Sequence, residues 1–82
     1  MIEEKVRNLI EKEVNKLGVN IDSIAYEKES GNYFLRIIID SEEGIDIDKC
    51  VEVTKIVNPL LDEADLIEES YTLEIWSKEK GE

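Results

Sequence analysis

The chain has 82 residues, with 21 acidic against 10 basic side chains, a net charge of −11 and no histidine. This length allows one domain at most. The charge repels nucleic-acid phosphates, and the missing imidazole removes Ser-His-Asp and Cys-His nucleophiles and every His-based metal site.

Residues 2–17 read as an amphipathic helix. Ile2, Val6, Leu9, Ile10, Val14 and Leu17 recur at spacings of three and four, while Glu and Lys of mixed sign fill the other side. Gly18 follows where a left-handed helix terminator is wanted. Residues 21–29 and 33–40 read as two strands joined by a turn at Ser30-Gly31-Asn32. In the first, Ile24 and Tyr26 alternate with Ser23, Ala25 and Glu27. In the second, Leu35, Ile37 and Ile39 share a chargeless face assigned to the core, and Phe34, Arg36, Ile38 and Asp40 share the other.

Asp46 is placed to cap a second helix, with Asp48 in its first turn beside the positive helix end. Cys50, Val53, Ile56, Val57, Leu60 and Leu61 form its apolar stripe. Proline inside a helix costs about 3 kcal/mol, so Asn58-Pro59 predicts a kink or a new helical start there. Asp62-Glu63-Ala64-Asp65 is acidic and leads into a loop. Residues 71–76 read as a third strand, Tyr71, Leu73 and Ile75 inward and Thr72, Glu74 and Trp76 outward. The expected fold class is α+β, a two-layer sandwich in αββαβ order. Two helices cover one face of a three-stranded, mainly antiparallel sheet. The pattern leaves the third strand's neighbour open, with a right-handed crossover favouring a place beside the first. Residues 1–77 make the domain, and 78–82 a charged tail.

The carboxylates invite a calcium reading over Asp40, Glu42, Glu43, Asp46 and Asp48. An EF-hand loop counted from Asp40 needs Gly and Glu where Ile45 and Val51 stand, so the match fails. Glu42, Glu43 and Asp46 are instead expected as an acidic surface suited to a basic protein. No metal or cofactor is implied. Cys50 lies on an apolar stripe, where cysteine packs as a small hydrophobe. A single thiol and the absence of a secretory segment point to the cytoplasm. No apolar run approaches the roughly 20 residues needed to cross a bilayer, and no Gly-x-x-Gly, P-loop or Rossmann pattern occurs. One constellation stands out on the outer sheet face: Phe34, Arg36, Ile38, Glu74 and Trp76. Aromatic and Arg residues are typical of binding hot spots. A face that is simply wet, as antiparallel sheets often are, is the equal alternative.

The chain resembles the N-terminal domain of the RimP family of ribosome maturation factors. The resemblance runs through Leu17-Gly18, Tyr26, Gly31, Leu35-Arg36, Ile39-Asp40, Gly44, Ile47-Asp48, Cys50 and Val53. It closes with Pro59-Leu60-Leu61-Asp62, Asp65-Leu66-Ile67 and Tyr71-Thr72-Leu73-Glu74-Ile75. It covers roughly residues 17 to 77. Family members usually continue this strand into a Ser-Ser-Pro-Gly-Leu-Asp-Arg-Pro-Leu segment and an SH3-like barrel; here Trp76-Ser77-Lys78 stands in place of that segment. The resemblance implies a non-enzymatic role in small (30S) subunit assembly, with the small ribosomal subunit or a basic ribosomal protein as partner. A second chain or a homodimer on the open sheet face is also expected. The competing expectation is a stand-alone interaction or oligomerisation module.

Overall fold

The computed structural model describes residues 1–78. Helix α1 spans Ile2–Asn15, strand β1 Asn20–Glu29, strand β2 Asn32–Asp40, helix α2 Ile47–Ala64 and strand β3 Tyr71–Ser77. The αββαβ order and the α+β class are as expected. Helix α1 ends before residue 17 because the chain tightens. The Leu17 and Gly18 amides donate to the Val14 and Asn15 carbonyls, three residues back, at 3.0 Å each. Gly18 then takes φ +83°, open to glycine at little cost.

The hairpin turn is two residues long, not three. Ser30 and Gly31 both have positive φ (51° and 83°), and Glu29 faces Asn32. This is the primed geometry that matches strand twist. Asn32 therefore belongs to β2. A β-bulge between Ile21 and Ser23 leaves Asp22 without a partner on β2. Because of it, Ile21 and Ile24 both reach the core despite their odd spacing.

The sheet order is β1-β2-β3, with β1 antiparallel and β3 parallel to β2. This corrects two expectations: the sheet is evenly mixed rather than mainly antiparallel, and β3 lies beside β2 rather than β1. The sequence carries the reason. A central strand is flanked on both sides, and β2 has apolar side chains on both faces. The outer edge of β1 is bulged and carries Asp22, Glu27, Lys28 and Glu29, devices that blunt a strand edge.

The core lies between the sheet and both helices. Leu35, Ile37 and Ile39 are fully buried, as are Val6, Ile10 and Val14 from α1 and Val53 and Val57 from α2. Each such side chain contributes about 1.5–3 kcal/mol relative to exposure. Leu61 and Ile67 close the layer. Helix α2 runs unbroken through Pro59 to Ala64, so no second helical start forms at Pro59, and the acidic stretch 62–65 leads into the loop before β3 as expected. The buried run Val53, Val57 and Leu61 spans the proline, and its packing outweighs the lost backbone hydrogen bond. The helix ends at Asp65, whose left-handed backbone (φ 53°) lets its amide reach the Leu61 carbonyl at 3.0 Å. Asp46 caps the other end, its Oδ1 accepting the Lys49 amide at 2.9 Å as the sequence predicts.

Lys78 donates its amide to the Ile39 carbonyl at 2.7 Å, so the parallel ladder runs into the expected tail. Residues 79–82 of that tail lie outside the described residues.

Candidate interaction surface

Strand alternation puts Phe34, Arg36 and Ile38 on the face of β2 away from the helices. The parallel register sets Thr72, Glu74 and Trp76 beside them in that order. All five residues expected on the outer face therefore meet there. Arg36 is the hub. Its Nε donates to Glu74 Oε1 at 2.9 Å, and Nη1 donates to Glu27 Oε1 and to Glu29 Oε2, each at 2.9 Å. Nη2 donates to Glu29 Oε1 at 3.1 Å, making the Glu29 contact a two-pronged clamp. The guanidinium carbon sits 4.6 Å from the centre of the Phe34 ring, within cation–π range.

Space for this arrangement comes from the residue opposite. Ala25 faces Arg36 across the antiparallel pair, and its methyl group leaves room for the guanidinium over β1. Glu27 and Glu29 were missing from the sequence-derived patch. A two-residue turn at Ser30-Gly31 sets Glu27 opposite Phe34 and Glu29 opposite Asn32. Reading the turn one residue too long hides that register.

The geometry changes what the patch can do. Arginine has five N–H donors, and four hydrogen bonds already tie Arg36 to three carboxylates. Arg36 is an organiser of the face, not an open hot spot. The Glu29 and Glu74 carboxyls are held below the ordinary 4.5, in both cases chiefly by hydrogen bonds from Arg36. Those two carboxylates in turn hold the Arg36 proton more firmly. What remains exposed is Trp76, 54% accessible. Its indole N–H donates to Glu74 Oε1 at 3.1 Å, which fixes the ring beside Ile38, its register neighbour. The site is an aromatic side chain on a polar, net-negative rim.

Glu42, Glu43 and Asp46 are exposed, but each has its own setting. The first two sit in the turn after β2, where the Gly44 amide donates to the Ser41 carbonyl at 3.1 Å. Asp46 is committed to capping. Among the described residues, no hydrogen bond or ion pair joins the three to the Arg36 cluster. Cys50 is half-buried against the core. Burial pushes its thiol up, with the Asp46 charge adding to the effect. Among the described residues, no group of three or more Cys, Asp or Glu side chains could hold a metal ion.

A family model described as the RimP N-terminal domain matches residues 9–78, taking in the second half of α1, all of α2, the three strands and the whole Arg36 cluster. The chain belongs to the RimP N-terminal domain family. The RimP N-terminal fold also resembles solved structures of MamM-CTD. A double-alanine variant of MamM-CTD is 15% identical with TM-score 0.53, the match covering 96% of this chain and 95% of that one. A nickel form is 15% identical with TM-score 0.55, covering 94% and 98%. A third MamM-CTD structure is 16% identical with TM-score 0.54, covering 94% and 98%. At these identities the likeness is one of fold alone, and the nickel belongs to MamM-CTD. Among the described residues, no helix of this RimP domain is long and apolar enough to cross a membrane.

Proposed function

We propose that this domain is a non-enzymatic ribosome-maturation module acting in the cytoplasm on the immature small ribosomal subunit. The observation that carries the reading is the family match over residues 9–78. The charge supports protein rather than RNA as the contacted component, because a net −11 steers basic protein surfaces inward and repels phosphates. Trp76 supplies the apolar anchor on the open sheet face, with Glu27, Glu29 and Glu74 as its acidic surround. The Cys50 thiol is pushed away from the reactive thiolate, in keeping with a non-enzymatic role.

Sedimentation of cell extract through a gradient tests the proposal. Co-migration of the protein with immature small subunits, and not with mature ones, is the expected result. Absence from those fractions, together with self-association of the purified protein, favours the stand-alone interaction or oligomerisation module instead.

A further inference from the structure

We infer that the outer edge of β3, together with the apolar groove between it and α2, is a docking strand for an extended basic segment of a partner protein. This deepens the reading above by naming a second surface and the chemistry of what binds it.

β3 ends the sheet order, so one side of it is paired with β2 and the other with nothing among the described residues. The Lys78 amide donates to the Ile39 carbonyl of β2. Backbone direction alternates along a strand, so Thr72, Glu74 and Trp76 also point toward β2. The N–H and C=O groups of Tyr71, Leu73, Ile75 and Ser77 therefore point outward. Unlike β1, β3 has no bulge, and its one charge, Glu74, is neutralised by Arg36. An undefended edge of this kind is a template for strand addition.

The groove lies along the same edge. Ile45, Ile47, Cys50, Val51 and Ile75 form the apolar wall of this open groove of about 470 Å³, and Asp46, Thr54, Lys55 and Ser77 complete its lining. Ile47 is 80% exposed and Val51 45%, an unusual state for two β-branched hydrophobes side by side on one helix. An added strand would offer alternate side chains to this groove while its backbone pairs with β3.

Charge selects the occupant. Residues 41–77, which supply the β2–α2 turn, α2 and β3, hold eleven acidic and two basic side chains, whereas residues 1–40 hold eight and six. Most of the net negative charge, −9 against −2, thus sits on the segment that supplies the groove and edge, while the groove's immediate lining holds one charge of each sign, Asp46 and Lys55. A basic strand is attracted there. A second copy presenting the same edge would bring two such surfaces together and be repelled.

The test is a titration of the 15N-labelled chain with a short synthetic peptide alternating lysine and valine. The expected result is saturable binding that weakens with salt. Shifts and slowed amide exchange should centre on Tyr71, Leu73, Ile75 and Ser77 and extend to Ile47 and Val51. A glutamate–valine peptide of the same length should not bind. Ile47→Lys and Val51→Lys, at exposed positions and checked for folding by circular dichroism, should each weaken the lysine peptide about tenfold. The inference is overturned by no binding, by equal binding of both peptides, by indifference to both lysine variants, or by shifts confined to Phe34, Arg36 and Ile38. Outer β3 amides already protected in a concentration-dependent dimer would make a second copy the occupant and overturn it too. Because the probe is a peptide, failure here leaves the sedimentation result standing, and failure of that result leaves this one.

Discussion

Arg36 and Glu74 stand opposite each other on adjacent parallel strands, with Nε 2.9 Å from Oε1. This pair ties β3 to the centre of the sheet. It also fixes the indole of Trp76, which donates to the same carboxylate oxygen. The outer face is therefore a cross-strand cluster spanning all three strands rather than a set of independent surface residues.

The cluster predicts how stability responds to acid. Glu29 and Glu74 titrate below their ordinary 4.5 in the folded protein. The stability they contribute is present above the unfolded value and is lost as pH falls through the folded one. Urea midpoints should hold steady above pH about 4.5 and drop below it. Glu74→Gln should lower the midpoint at neutral pH and flatten the acid limb. An acid limb of unchanged steepness in Glu74→Gln contradicts the assignment.

The buried face of β2 should be far less tolerant. Leu35→Ala removes a fully buried side chain from the central strand and should cost about 2–5 kcal/mol. A chain of this length is stable by only about 4–12 kcal/mol, so chemical denaturation should show a severely weakened or partly unfolded domain. A loss below about 1 kcal/mol would mean that the layer is not close-packed there.

Pro59 is the clearest route to a more stable protein. It sits inside α2, exposed, and withholds an amide from the Lys55 carbonyl. Pro59→Ala should raise stability by about 1–2 kcal/mol, the helix gain of about 3 kcal/mol being partly offset by a looser unfolded chain. Thermal unfolding checks this. A lower Tm in the variant would show that the proline is accommodated without cost.

Cys50 should be a slow thiol. Burial and, secondarily, the Asp46 charge raise it above its ordinary 9.0, so the thiolate is scarce at neutral pH. Alkylation by iodoacetamide should be slower than that of a free cysteine, with a pH–rate midpoint above 9.0. Reaction faster than free cysteine at pH 7 contradicts the burial argument.

Much of this fold is legible in local pattern, because periodicity reports which side of an element is buried. The stripes through Val6, Ile10 and Val14, through Leu35, Ile37 and Ile39, and through Val53, Val57 and Leu61 are the core. Sheet order is not local. The apolar residues on both faces of β2 mark a central strand, but alternation alone does not say which neighbour β3 chooses. Pro59 misleads because local propensity favours a break, while packing on either side of it holds the helix together. The outer sheet face is legible as five residues and illegible as a cluster. Finding Glu27 and Glu29 depends on reading Ser30-Gly31 as a two-residue turn, since one residue more moves every partner on β1.

The role proposed for this RimP N-terminal domain is to bind small-subunit precursors through protein contacts. The most direct test is an equilibrium titration of the purified domain, and of Trp76→Ala, against isolated immature small subunits at low and raised salt. Saturable binding that weakens with salt and falls further in a Trp76→Ala variant of unchanged fold is the expected result. No saturable binding, or full affinity in Trp76→Ala with only its stability reduced, would contradict it.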